Sequence, residues 1–338
     1  MDIGVTLPTH GLMTRTAGGD AILRNLPAAE MRPVEYAVRA EALGYHSAWL
    51  SDHVVTERAT TVAHPSNASG ARVYPDRPVM LDVVATLGAI SSRTTTLRLA
   101  PSVYIAPYRH PLNAAHQFAT LDNLSGGRLI VGVGVGWETG EFAALGVSYA
   151  DRGRIIEEAI QVYRAAWTEP WIDFRGEFFD IRDVSMDPKP VQRPHPPIWY
   201  GGMSPVAARR AARFCDGFYP MYLDGSADPT RLAPLIEVIR DEAGRRGRDL
   251  TGFRLGAFCQ VMVTDRPDDR FGAARPPLTG SAEQILHDLR RFADLGYSHI
   301  TVHFDCPAGT TAEWEEQFEG FGTEILPEAA GITHRDLF

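Results

Sequence analysis

Asp2-Ile3-Gly4-Val5-Thr6-Leu7 opens the chain as an apolar run that ends on Pro8-Thr9-His10. That ending separates two ways of building an α/β protein. An open, doubly wound sheet that binds a dinucleotide carries a G-x-G-x-x-G turn after its first strand, because the glycines let the backbone approach a pyrophosphate. Pro8-Thr9-His10 contains no glycine, so the open sheet becomes the second choice. Working outward, similar runs recur at 47–51, 97–104, 129–135, 197–201, 217–222, 254–263 and 299–304. They are nearly continuous, as strands buried on both faces of a parallel sheet are. Between and after them, helical periodicity occupies about 30–43, 80–92, 113–124, 152–167, 205–215, 230–246, 281–295 and 311–329. Eight strands, each followed by one helix, predict an α/β chain folded as a (β/α)₈ TIM barrel, with residues 1–338 as a single domain.

The helices have local causes. Ile156, Ala159, Ile160, Tyr163, Ala166 and Trp167 fall on one stripe, as do Ile285, Leu289, Phe292 and Ala293. Ser281 and Gln284 have the spacing of a capping box, and Gly44, Gly126 and Gly296 stand where a helix-terminating glycine belongs. Two segments interrupt the repeat. Residues 54–79, after the second strand, form a polar insertion rich in Pro, Ser and Gly. Residues 168–196, before the fifth, place Trp171-Ile172-Asp173-Phe174 and Glu177-Phe178-Phe179-Asp180-Ile181 around Arg175-Gly176, the pattern of a β-hairpin. A Pro-rich run, Pro188 to Pro197, then leads into the fifth strand.

Composition narrows the function. At 44% hydrophobic and 22% charged residues, the chain of 338 residues can bury a large core, which excludes whole-chain disorder. Its net charge is −9 and it has no extended basic cluster, which argues against a nucleic-acid partner. No run approaches the roughly 18 apolar residues of a membrane span. Met1-Asp2-Ile3-Gly4-Val5 lacks the basic start of a signal peptide. Cys215, Cys259 and Cys306 are widely spaced and form no C-x-x-C, so they read as small core residues of a reducing, cytoplasmic compartment and not as a zinc site.

A β/α barrel builds its active site at the C-terminal ends of its strands. At the end of the second strand His53 is the leading acid/base candidate, with Asp52 beside it to orient or charge the imidazole. Gly132-Val133-Gly134-Val135-Gly136 alternates glycine within a strand, which invites close approach to the backbone. A flat ring across the barrel mouth would use that space, and so would tight packing in the barrel centre. Gly201-Gly202-Met203-Ser204-Pro205 ends the fifth strand and opens a helix, which suits a phosphate or a simple tight turn. Glu138 and Glu141 are poor glycosidase carboxylates, because both follow one strand. No H-E-x-x-H, G-x-S-x-G or Walker loop occurs. His299 and His303 share a strand face but lie about 13 Å apart, too far for one metal, and no metal is expected.

Together these stretches resemble the bacterial luciferase-like flavin and deazaflavin oxidoreductases over nearly the whole chain. The likeness rests on Ala40-Glu41-Ala42-Leu43-Gly44-Tyr45 with Trp49-Leu50-Ser51-Asp52-His53, and on His110-Pro111 with Ala119 to Arg128. Gly132 to Trp137 with Glu141-Phe142, Pro196 to Gly202, and Ala212 to Gly217 complete it. More narrowly, the chain is similar to the branch that uses coenzyme F₄₂₀, an 8-hydroxy-5-deazaflavin, with FMN as the alternative cofactor. The resemblance implies that His53 lies over the ring as acid/base and that Ser102-Val103 is a non-prolyl cis peptide bulging behind it. It implies ring contacts from Gly134, Val135, Gly136 and Trp137, and phosphate contacts from Gly201, Gly202, Met203 and Ser204. Arg209, Arg210 and Arg213 are candidates to meet the anionic F₄₂₀ tail. Sugar-phosphate dehydrogenase relatives carry a carboxylate directly after the Gly-x-Gly of the fourth strand. Here Trp137 takes that place and Glu138 follows, which argues against a sugar-phosphate substrate. The expected function is hydride transfer between F₄₂₀ and a small organic substrate, in a homodimer. The alternatives are an FMN-dependent monooxygenase fed by a partner reductase and a non-catalytic flavin-binding barrel.

Overall fold

A computed structural model describes residues 1–15, 20–58, 67, 69–222, 228–267 and 275–338. Eight parallel barrel strands appear where the apolar runs lie. They are β1 Asp2–Thr6, β2 Ser47–Leu50, β3 Arg98–Pro101 resuming at Tyr104–Ile105, and β4 Val131–Gly134. β5 Ile198–Gly201, β6 Gly217–Tyr219 resuming at Met221–Tyr222, β7 Arg254–Val263 and β8 His299–Phe304 follow. β3 pairs β2 through its first half and β4 through its second, with Leu99 bridging Leu129, so the eight strands run round a barrel. The helices that follow are α1 Pro33–Leu43, α2 Val83–Ser91, α3 Pro111–Leu124 and α4 Arg152–Thr168. α5 Pro205–Phe214, α6 Ala233–Arg246, α7 Ala282–Asp294 and α8 Thr311–Gly320 complete the ring. The α/β barrel expected from the sequence is the observed fold.

The period of two along each strand sorts residues to two sides. Ile3 and Val5 of β1 face the helices, in the outer core. Gly4 faces inward, where a Cβ would lie 2.5 Å from Trp49 Nε1. Trp49, Trp199, Tyr219 and Phe258 fill the barrel, with Trp49 stacked on Tyr219 at 4.6 Å. The barrel centre is therefore a packed plug, and chemistry is left to the rim above it.

Local chemistry explains where elements start and stop. Ser281 and Gln284 form the expected capping box on α7. Gly44, Gly126 and Gly296 all have positive φ after helices. The stretch 30–43, read as one helix, is broken at Arg32, which adopts φ 39° between Ala28–Met31 and α1. Pro33 causes this, since a proline disfavours helical geometry in the residue before it. The stretch 311–329 is likewise divided, by a π-turn at Phe321–Ile325. The hairpin before β5 is present as Ile172–Arg175 against Asp180–Val184. A second hairpin, Leu12–Arg15 against Ala21–Arg24, follows β1 and was not anticipated. Within the 54–79 insertion, residues 59–66 and 68 lie outside the described residues. The three cysteines are free and buried. No helix among the described residues is long and apolar enough to cross a membrane.

Candidate active site

A cavity of about 310 Å³ opens at the C-terminal rim. That size is at the small end for ligand sites. Of the residues singled out from the sequence, Asp52, His53, Ser102, Val103, Gly134, Val135, Gly136, Trp137, Gly201 and Gly202 line it. Met203 packs against the outer core instead. Ser204 spends its side chain capping α5, accepting from the Ala207 N–H at 3.2 Å. Of the three arginines considered for an anionic tail, Arg210 donates to Glu157 at 2.7 Å and Arg213 is paired with Glu242. Arg209 alone of the three has no such ion pair among the described residues.

His53 and Asp52 are neighbours in sequence but not partners. Asp52 accepts from Arg109 Nη2 at 2.7 Å and from the Ile105 N–H at 2.8 Å, which ties the end of β2 to the second half of β3. Arg109 in turn lies 4.5 Å from the centre of the Tyr104 ring. Of the two roles expected of Asp52, charging the imidazole holds, since its charge helps raise the His53 pKa, while the expectation that it orients the ring is corrected. That role falls to Glu141, whose Oε2 lies 2.8 Å from His53 Nδ1. Glu141 belongs to Thr139–Ala144, a short helix after β4 that the sequence reading left out. It also accepts from the Val54 N–H at 2.6 Å and from the Tyr108 hydroxyl at 2.8 Å.

The electrostatics follow from these contacts. Burial pushes the Glu141 carboxyl up, but His53, the Val54 amide and the Tyr108 hydroxyl outweigh it and hold the group below its ordinary range. An ionised Glu141 accepts only, so Nδ1 of His53 carries the proton. Nε2 lies 3.1 Å from the Tyr74 hydroxyl, on the cavity side. Burial would lower the His53 pKa, yet the Glu141 hydrogen bond and charge, with Asp52 and Glu138 nearby, raise it. Glu138 stands behind this pair, buried, and its pKa is raised chiefly by burial. The Glu57 amide approaches it without meeting hydrogen-bond geometry. His53, Glu138 and Glu141 thus bring three ionisable groups within 4.8 Å of one another.

The strand-three bulge is as the resemblance implied: Ser102-Val103 is cis. The glycines beside it now have individual reasons. A Cβ on Gly132 would sit 2.2 Å from the Pro101 carbonyl oxygen, so this glycine serves packing. A Cβ on Gly134 would meet Val103 Cγ2 at 2.4 Å, and one on Gly201 would meet Cγ1 at 2.7 Å. Both therefore make room for Val103, which forms an apolar cavity wall beside Val135 and Ile105. That wall, with a Gly201-Gly202 turn at the start of α5, fits a flat ring carrying a phosphate. Tyr74, Tyr108 and Arg109 were missed by sequence reasoning, whereas His10 was legible as the end of the first strand, on the face where a barrel builds its site. Glu141 was named with Phe142 among the motifs of the resemblance, but not as the partner of His53.

At the barrel floor Asp2, His46 and His299 also bring ligating atoms within 4.8 Å of one another. Arg254 is paired with Asp2 there and opposes a bound cation.

A profile of the luciferase-like monooxygenase family matches residues 1–293. The chain is 37% identical over 184 residues to an FMNH(2)-dependent dimethylsulfone monooxygenase of Pseudomonas putida, covering 54% of this chain and 48% of that protein. It is 32% identical over 189 residues to an F₄₂₀-dependent glucose-6-phosphate dehydrogenase of Amycolatopsis mediterranei, covering 55% of this chain and 51% of that protein. The crystal structure of a monooxygenase from Streptomyces bottropensis superposes with a TM-score of 0.73 at 22% identity, covering 97% of this chain and 99% of the other. The match over most of the length, on a barrel of the same architecture, means that this chain belongs to the luciferase-like monooxygenase family.

Proposed function

We propose that the chain transfers a hydride between coenzyme F₄₂₀ and a small organic substrate, with His53 giving or taking the accompanying proton. The observation that carries this reading is the Glu141–His53 pair, whose imidazole lines the same cavity as Val103. When bound, the deazaflavin supplies the two-electron chemistry. Val103, Val135 and the Gly134–Gly136 backbone would hold its ring, and the Gly201-Gly202 turn its phosphate. Glu141 keeps Nδ1 protonated and turns Nε2 towards the cavity. Nε2 accepts a proton in one direction and returns it in the other. The apolar wall excludes water from the reacting atoms.

A second reading, an FMN-dependent monooxygenase, is favoured by the Pseudomonas putida relative, which has the higher identity of the two. The same wall and turn suit either ring. Fluorescence titration of the purified chain with F₄₂₀ and with FMN separates the readings. F₄₂₀ is expected to bind at micromolar or lower concentration, roughly −8 kcal/mol. Binding of FMN in that range with none for F₄₂₀ selects the second reading.

A further inference from the structure

Three aromatic side chains meet on the cavity lining: His53 after β2, Tyr74 from the insertion that follows it, and Trp137 after β4. The Tyr74 and Trp137 rings are nearly parallel, inclined by 20° with centres 6.2 Å apart. Both stand steeply to the imidazole, at 72° and 80°. The main chain next to Tyr74 is anchored on both sides of the insertion. The Val73 carbonyl accepts from the Leu23 N–H at 2.8 Å, and Val73 itself is buried. The Arg72 guanidinium donates to the Glu57 carbonyl at 2.7 Å and to the Arg58 carbonyl at 2.6 Å.

What sets Tyr74 apart is the atom it meets. Each ring nitrogen of an imidazole has one bonding direction in the ring plane, filled by a proton or by a lone pair. Nδ1 of His53 directs its own at Glu141 Oε2, and Nε2 meets the Tyr74 hydroxyl at 3.1 Å. Both nitrogens are engaged, so the imidazole has no in-plane direction left for a substrate atom. A hydroxyl oxygen is less restricted: one proton and two lone pairs let it serve Nε2 and a second group at once. Tyr74 borders the same cavity as Val103 and the Gly134–Gly136 backbone. Burial, together with the charges of Glu138 and Glu141, raises the Tyr74 pKa, so the phenol keeps its proton at neutral pH.

We propose that Tyr74 is a further catalytic residue, whose hydroxyl meets the reacting carbonyl oxygen of the substrate and through which His53 exchanges its proton with that oxygen. A carbonyl suits a phenol donor, because its oxygen becomes strongly basic as hydride reaches the carbon. In the reducing direction that oxygen keeps the electron pair of the former double bond and takes the Tyr74 O–H proton. The Tyr74 oxygen takes the Nε2 proton of the imidazolium in turn. The tyrosine thus ends as a phenol, and His53 ends neutral with its Nδ1 proton still on Glu141. The reductant is the reduced deazaflavin of the proposed function. In the oxidising direction the alcohol proton passes to Tyr74 and the Tyr74 proton to Nε2. This inference rests on reading His53 as the acid/base of hydride transfer.

The test uses the full chain saturated with oxidised F₄₂₀ and two probes of nearly equal shape, cyclohexanone and methylenecyclohexane, with binding followed by calorimetry. Tyr74→Phe keeps the ring and removes the hydroxyl. His53→Asn keeps an N–H for Glu141 and removes Nε2. The affinity of the ketone relative to the hydrocarbon should fall about fivefold in Tyr74→Phe, the worth of one hydrogen bond, and clearly less in His53→Asn. NMR of the chain with isotope-labelled histidine, free of probes, gives a second reading. There the His53 Nε2 signal should move in Tyr74→Phe towards that of an unbonded imidazole nitrogen. An equal or greater fall of the ratio in His53→Asn overturns the proposal, because His53 then touches the substrate itself. A ratio unmoved in Tyr74→Phe, including no binding of either probe by the wild type, overturns it too, and so does an Nε2 signal that stays in place. If neither F₄₂₀ nor FMN binds the wild type, the cofactor reading fails alone, and the same ratio in the cofactor-free chain still decides the role of Tyr74.

Discussion

On one wall of the cavity His53 is buried with Glu141 2.8 Å from its Nδ1, and its pKa is raised. His303, inside the barrel and not on the cavity lining, is 5% exposed, neither ring nitrogen has a partner, and its pKa falls to about 3. Burial pushes both imidazoles towards the neutral form. The difference is the carboxylate. Where the short helix after β4 supplies one, the histidine can hold a proton near neutral pH and act as an acid/base. Where the neighbours are Thr6, Gln260 and a second neutral histidine, it can only give and accept hydrogen bonds. The placement of a single acidic residue thus decides which of the two imidazoles can hold a proton near neutral pH.

The largest expected effect breaks the comparison at His53. His53→Ala should lower turnover by about 10²–10⁴, the usual contribution of a general acid/base, while F₄₂₀ affinity stays within a few-fold. Unchanged turnover would remove His53 from the chemistry. Next comes Glu141→Gln, which leaves the burial of His53 uncompensated. Its NMR titration midpoint should move from above the ordinary 6.5 to below it, and urea unfolding should show a loss of about 3 kcal/mol. A midpoint that stays in place would mean that Glu141 is not what distinguishes the two histidines.

His10 and His303 set the acid side of stability. His10 and His303 have folded pKa values of about 4 and about 3, below the ordinary 6.5. As pH falls from 6.5, the unfolded chain takes up protons that the native chain refuses, so stability declines, by up to about 1.4 kcal/mol per pH unit for each group. His53 works in the other sense: its raised pKa stabilises the fold below pH 6.5, and that part is lost as pH rises through the folded value. His303→Phe should flatten the decline between pH 6 and pH 4 in denaturant titrations, and an unaltered slope would contradict the assignment. The smallest effect is Gly134→Ala. Its Cβ would meet Val103 Cγ2 at 2.4 Å, but Val103 borders the cavity and can turn into it, so the cost should be about 1 kcal/mol. The titrations of His53 and His303 should not move, and F₄₂₀ affinity should fall as Val103 takes up cavity space.

Much of this was legible before any coordinates. The apolar runs located all eight barrel strands, because a strand buried on both faces of a parallel sheet is nearly continuous in apolar residues. The hairpin before β5 was legible from its alternation around Arg175-Gly176. The hairpin after β1 was not, although Leu12 to Arg15 and Ala21 to Arg24 flank Gly18-Gly19-Asp20, a turn-forming sequence. The glycine alternation at 132–136 was noticed, but its two causes, the Pro101 carbonyl and the Val103 side chain, come from the neighbouring strand.

By itself the sequence determined the order of strands and helices, the closed barrel over the open sheet, and the rim position of His53. These depend on local patterns and on the rule that parallel strands need crossovers. The tertiary structure alone decided which carboxylate serves His53. Asp52 is adjacent in the chain, yet consecutive residues at a strand end point in different directions. It turned to Arg109 and Ile105, while Glu141, 88 positions away, closed on the imidazole. It also decided that Thr6, Gln260 and His303 share one layer, since only strand register brings residues so far apart in sequence to the same height. Contacts of that kind are set by where elements pack, and no local pattern in the chain encodes them.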